Sequence, residues 1–185
     1  TPQSFRSSVE ELAYGLLATG ARLLITEDAG PLAERAGAAM SDDSLAPIEL
    51  IGVGGVDSEY ERLLAGAPSV GTHSPSETDA FWLALTGGTT GPPKLVRVPH
   101  RVLVQMWLLM VLEFDISRRD TMLIAGPLHH GLGFGFALQQ LYVGGRTVVL
   151  PAFDARAVVD TIAAERVTVL PAAPTMLALM LDELD

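Results

Sequence analysis

The sequence predicts an α/β fold, a layered sandwich with mostly parallel strands. Three observations carry this. Short apolar runs of β-like composition alternate with longer runs of helical period along the whole chain. Hydrophobic residues make up 49% of the 185, and mean hydropathy is +0.34, which suits a packed core and excludes an intrinsically disordered tail. Ser, Pro, Gly, Asp and Thr gather at 41–47 and 66–78 as surface loops, which read as connections within one domain over 1–185.

Taken in order, Val9 to Ala18 reads as a helix with Leu12, Leu16 and Leu17 on one face, ending at Gly20 as a left-handed cap. "ARLLIT" (21–26) reads as a buried strand, 31–40 as a helix with proline in its first turn, and "IELIGV" (48–53) as a second strand. "FWLAL" (81–85) and "KLVRV" (94–98) read as strands on either side of a Gly/Thr-rich loop. The helix over 100–114 is apolar nearly all round and must be covered on most sides. The alternation then repeats: strand 121–126, a glycine-punctuated helix 132–143, strand 146–150, helix 154–165, strand 167–170 and helix 174–183. The chain opens on a helix with no strand before it, as though in mid-fold, and shows no internal repeat or low-complexity tract.

Composition excludes several classes of function. With no cysteine there is no disulfide framework and no thiolate metal site; zinc is disfavoured and a cytoplasmic location expected. A net charge of -10, a pI near 4.7 and scattered arginines argue against a nucleic acid partner. "WLLMVL" (107–112) is too short for a transmembrane segment, and no signal peptide opens the chain.

The chain's only lysine, Lys94, closes the stretch "LTGGTTGPPK". Gly87, Gly88 and Gly91 allow sharp turns and bring N–H groups close to an anion, and Thr86, Thr89 and Thr90 add hydroxyl donors. A compact, rotatable ammonium suits an oxyanion that moves during reaction better than the planar fork of arginine does. Gly88 and Lys94 have Walker A spacing, but Pro93 stands where its second glycine is needed and Leu95 where its Mg²⁺-binding hydroxyl is needed. The competing reading is a glycine-rich hairpin turn with an incidental lysine.

"DAFWLALTGGTTGPPKLV" resembles the phosphate-loop motif of the AMP-forming adenylate-forming ligases: acyl-CoA synthetases, aryl-acid-AMP ligases, peptide-synthetase adenylation domains and luciferases. Asp79 has the family's distance before the loop, and Thr86, Gly88, Thr89, Thr90, Gly91, Pro93 and Lys94 match position by position. "VPHR" (98–101) resembles the family's Thr/Ser-His-Arg helix start, with Pro99 in place of the hydroxyl residue. "GPLHHGLG" (126–133) resembles its Pro-Leu-x-His motif, "YVGGRTVVLPAFDARAVVDTIAAERVTVLPAAPTML" (142–177) follows its strand and helix pattern, and "EELAYGLLATGARLLIT" (10–26) resembles the helix and strand upstream.

The resemblance implies an ATP-dependent acid–thiol ligase of acyl-CoA synthetase type. Such an enzyme activates a carboxylic acid as acyl-AMP, releases pyrophosphate and passes the acyl group to CoA or to the phosphopantetheine of an acyl or aryl carrier protein. It assigns Thr86, Gly87, Gly88, Thr89, Thr90, Gly91 and Lys94 to the nucleotide phosphates, with Lys94 catalytic, and His130, Gly131 and Phe134 to an acyl or thiol pocket. His130 would line that channel rather than act as a base; its plainer reading is a polar residue at a strand end beside His129. Phe134 and Phe136 could wall the pocket or be core aromatics on a helix. His73 and His100 read as structural or solvated, and Trp82 and Trp107, in apolar runs, as core. The family's Mg²⁺ carboxylate, adenine and ribose segments and its C-terminal domain are expected beyond Asp185. The chain then reads as a partial N-terminal domain that does not catalyse adenylation alone. "GGTTG" and "KLV" lean toward the aryl-acid-AMP ligases of siderophore assembly, "PLHH" toward acyl-CoA synthetases. A non-catalytic nucleotide-binding or interaction module, or a structural fragment presenting apolar surface, are the alternatives.

Overall fold

The computed structural model describes residues 1–68, 71, 74–86 and 93–184. They form two compact units that divide between Pro99 and His100.

The first unit begins with α1 (Val9–Thr19), started by a reciprocal capping box. The Glu11 N–H donates to Ser8 Oγ and the Ser8 N–H to Glu11 Oε2. It ends as expected at Gly20, where φ of 61° gives the left-handed cap. β1 (Leu23–Glu27) and β2 (Glu49–Val53) pair in parallel, and α2 (Pro31–Met40) is the crossover between them. Ala13, Leu16 and Ala39 of the two helices are buried against Leu24 and Ile48. This corrects the reading of 21–26 as a fully buried strand. Only one face of the pair is covered by helices, while Leu23 and Ile25 on the other are about half exposed, at 46% and 51%.

Sequence reading missed α3 (Glu59–Gly66), which lies against β2. Its start was nevertheless written in the chain. Ser58 is buried and its Oγ accepts from the Glu61 N–H at 3.3 Å, the Ser-x-x-Glu spacing of a helix N-terminus. The unit closes with an antiparallel hairpin of β3 (Ala80–Thr86) and β4 (Lys94–Pro99).

Residues 100–184 form a three-layer sandwich. Its central layer is β5 (Thr121–Ile124) paired in parallel with β6 (Arg146–Val149). Side chains alternate along a strand, so β5 serves two cores. Leu123, with Ala125 just beyond the strand, packs with Val158 of α6 (Ala155–Glu165) and Met180 of α7 (Pro174–Asp182). Met122 and Ile124 pack with Ile116 and with Phe136 of α5 (Gly131–Tyr142). The expected strand at 167–170 reduces to one parallel bridge, Met122 to Val169. It flanks β5 on the edge away from β6.

The helix expected at 100–114 is α4 (His100–Phe114), but it is not covered on most sides. Only Leu103 and Trp107 are buried, and Leu112 is 77% exposed. Trp107 packs on the Tyr142 ring of α5, with centroids 5.5 Å apart. The elements of this unit reach one face of α4, and apolar composition cannot by itself supply neighbours for the other. At 15 residues, about 22 Å long, α4 is also too short to cross a bilayer, and no described helix is long and apolar enough to do so.

A polar knot ties the start of β5 to its neighbours. The Asp120 carboxylate accepts from the Thr168 hydroxyl at 2.8 Å, the Ser117 N–H at 2.7 Å and the Ser117 hydroxyl at 2.9 Å. Its carbonyl accepts from Gln140 Nε2 at 2.8 Å. The bonds from Thr168 and Ser117 hold the Asp120 carboxyl below its ordinary pKa. A folded-state pKa below the unfolded one gives stability that is present above the unfolded value and lost as pH falls through the folded value. Asp120→Asn is therefore expected to lower Tm at pH 7, with the gap to the parent narrowing below about pH 4. Thermal unfolding across that range checks it, and a gap constant with pH would contradict the charge-based account.

Next to this knot, Gln139 is fully buried and neither polar atom of its amide has a partner. An unsatisfied buried amide costs about 1–3 kcal/mol. Gln139→Met, close in volume, is expected to leave Tm unchanged or raise it.

Candidate functional site

The lysine predicted to face phosphate opens β4, and the threonine that starts the loop ends β3. The antiparallel register sets Leu85 opposite Leu95 and Thr86 opposite Lys94. Thr86 Oγ1 accepts from the Lys94 N–H and donates to the Lys94 carbonyl, both at 3.3 Å. The Thr86 hydroxyl thus clamps the mouth of the loop. Gly87, Gly88, Thr89, Thr90 and Gly91 lie outside the described residues, as does His73. Lys94 is exposed, and no described carboxylate pairs with its ammonium.

Two further residues brace this mouth, and sequence reading singled out neither. The Tyr14 hydroxyl on α1 donates to the Pro93 carbonyl at 2.7 Å, joining positions 79 residues apart. One residue on, Gly15 is buried where a Cβ would stand 3.2 Å from Leu85 Cδ1 and 2.8 Å from Gln3 Oε1. The missing side chain lets α1 approach the end of β3. No local pattern marks Tyr14, because its partner is a backbone carbonyl remote in sequence. Asp79 sits at the far end of β3, where its carboxylate accepts from the Ser76 N–H at 2.8 Å in a local turn.

The second cluster lies beyond the C-terminal end of β5, the end at which open α/β sheets present their ligands. The chain turns through Gly126 and Pro127, closed by the His130 N–H bonding to the Pro127 carbonyl at 3.1 Å. His130 is the N-cap of α5, and its Nδ1 accepts a long 3.5 Å bond from the Leu132 N–H. Gly131 is exposed at the first position of α5, and the Phe134 N–H bonds to the His130 carbonyl at 3.0 Å. His130, Gly131 and Phe134 thus fall on a single helical turn. Gly133 beneath them is tightly constrained: a Cβ there would stand 2.6 Å from the Pro127 carbonyl oxygen.

Along α5 the next apolar pair, Leu132 and Phe136 at i and i+4, walls an open hollow of about 420 Å³. Phe114, Ile116 and the segment from Thr168 to Ala172 complete it. Of the two readings left open for Phe136, pocket wall or core, the structure shows both, since the ring also packs with Met122 and Ile124. Phe134 does not line the hollow. Among the described residues, no group of three or more His, Asp or Glu side chains is placed to hold a metal ion.

The family model for the AMP-binding enzyme matches residues 1–185. The chain belongs to that family. Feruloyl-CoA synthase from an Amycolatopsis species is 30% identical over 176 residues, 95% of this chain and 33% of that protein. D-alanine--D-alanyl carrier protein ligase of Streptococcus pyogenes is 32% identical over 109 residues, 57% of this chain and 21% of that protein. Among solved structures, ATP-bound MatB from Rhodopseudomonas palustris superposes with a TM-score of 0.83 at 25% identity, over 97% of this chain and 35% of that one. The chain thus spans about a third of the length of the feruloyl-CoA synthases it matches, and MatB shares the α/β fold described above.

Two substitutions test the geometry. Gly133→Ala drives a methyl group into the Pro127 carbonyl and is expected to cost about 1–3 kcal/mol, read as a fall in Tm. Tyr14→Phe removes one hydrogen bond and is expected to cost about 0.5–1.5 kcal/mol, with faster amide exchange confined to β3 and β4.

Proposed function

We propose that the protein carrying this chain is an ATP-dependent acid–thiol ligase. In the first step a carboxylate oxygen attacks the α-phosphorus of ATP in line with the departing pyrophosphate, giving an acyl-adenylate. In the second a thiol sulfur attacks the acyl carbonyl, giving a thioester and AMP. The carboxylate is a weak nucleophile, so the enzyme's main contribution is to neutralise charge gathering on pyrophosphate.

The observation that carries this reading is Lys94, the one ammonium in a chain of net charge -10, unpaired at the clamped mouth of a hairpin loop rich in Gly and Thr. Lys94 meets the β- and γ-phosphates and follows pyrophosphate as it leaves, helped by N–H and hydroxyl groups from 86–91. The Thr86 hydroxyl has a supporting part, holding the loop's two ends together. His130 lines the acyl or thiol channel and does not act as a base. The names of the relatives supply both acceptor types, CoA and a carrier protein, and the ATP-bound neighbour supports the nucleotide.

Acid-dependent exchange of pyrophosphate into ATP by the full-length protein is the decisive assay. Lys94→Ala is expected to lower it roughly 100-fold with the fold intact, as loss of one charge-stabilising donor does elsewhere. Exchange unchanged in that variant would remove the lysine from the chemistry.

A further inference from the structure

The carbonyl of Pro93 and the N–H of Lys94 belong to one planar trans peptide unit, so the two groups point in opposite directions. Each is bonded by a different side chain. The Tyr14 hydroxyl donates to the carbonyl at 2.7 Å, and Thr86 Oγ1 accepts from the N–H at 3.3 Å. Held at both ends, this plane cannot turn without breaking one of the two bonds. The torsions on either side are restricted as well: the Pro93 ring sets its own φ, and the Lys94 carbonyl accepts from the Thr86 hydroxyl at 3.3 Å. The backbone from which the Lys94 side chain departs is thus fixed from two directions, β3 and α1.

From this geometry we infer that Tyr14 is a positioning residue for Lys94, acting through the 93–94 peptide. The inference rests on the ligase reading and adds to it a residue that lies outside the phosphate-loop stretch. α1 is a firm anchor for the tie. A capping box closes its first turn, and Ala13 and Leu16, on either side of Tyr14, are buried in one cluster with Ala39 of α2. Gly15 lets the helix come up to Leu85, the neighbour of Thr86. Tyr14 itself is 37% exposed, so the hydroxyl rather than burial of the ring ties it in. A long, rotatable ammonium can follow a departing pyrophosphate only from an origin that stays in place, and a misplacement of about 1 Å can cost a reaction about 100-fold. Charge on the leaving group is greatest in the transition state, so a loss of positioning falls on kcat more than on KM for ATP.

The test is a double-mutant cycle read by acid-dependent exchange of pyrophosphate into ATP in the full-length protein. The acid is whichever the parent uses best among a cinnamic acid, a medium-chain fatty acid, a dicarboxylic acid and an amino acid. Rates are taken per folded molecule, with the folded fraction read from the thermal transition, so that partial unfolding does not pass for lost positioning. Tyr14→Phe keeps the ring and removes only the donor, and is expected to lower kcat about tenfold while KM for ATP stays within about twofold. In a Lys94→Ala background the same change is expected to alter the residual rate by less than about twofold, because the group it positions is gone. A merely structural role lowers the rate by the same factor in both backgrounds, and that outcome overturns the inference. So does a kcat in Tyr14→Phe within about twofold of the parent's, or a raised KM with kcat unchanged, which would assign Tyr14 to uniform binding of the nucleotide. Each of these leaves the ligase reading standing. Exchange by the parent with none of the four acids overturns the ligase reading, and the role of Tyr14 with it.

Discussion

The burial of β5 on both faces is the constraint on which residues 100–184 depend. Met122, Leu123, Ile124 and Ala125 are each no more than 2% exposed. A strand of four residues can reach that only if a separate layer covers each face and another chain segment lies along each edge. Val158 and Met180 supply one layer, Phe136 and Ile116 the other, and β6 and Val169 occupy the edges. The Asp120 knot fixes where the strand begins, since one residue joins Ser117, Thr168 and Gln140 through its carboxylate and carbonyl. With the start and both faces set, the chain must leave at Ala125. It turns at Pro127 and delivers His130 to the start of α5.

Lys94, in the first unit, is held by a different device. No buried strand places Lys94; antiparallel register does, with Thr86 directly opposite and its hydroxyl bonded to both backbone groups of the lysine. Such a clamp leaves the Lys94 side chain exposed and puts the rigidity in the backbone. The bond from Tyr14 to Pro93 carries that rigidity to α1. The His130 turn is thus positioned by apolar burial, and Lys94 by hydrogen bonds around an exposed strand end.

Much of this was legible along the chain. α2 and α4 fall where periodicity placed them, because proline in a first turn and a long apolar helical run are local signals. Gly20 takes the left-handed cap expected of it. That Thr86 and Lys94 flank one loop was legible because the phosphate-loop pattern is contiguous, and the register sets the two opposite each other. What escaped was non-local. Tyr14 finds its partner 79 positions away, and Leu132 joins a wall whose other members come from α4 and from 168–172. The missed helix α3 is the exception, for its Ser58 and Glu61 spacing stood in plain view in a stretch to which no element was assigned.

The sequence by itself determined the alternation of helices and strands, the family, and the chemical groups on offer at the loop, since each depends on residues near one another in the chain. The tertiary structure decided which apolar residues are core and which are wall. Phe134 and Phe136 cannot be told apart by composition, and only the position of α5 over β5 turns Phe136 toward both Ile124 and the hollow. It also decided that α4 keeps an uncovered face and that β1 is half exposed. Burial is a property of neighbours brought together by folding, and a residue's own hydrophobicity states only the preference, not whether a neighbour arrives.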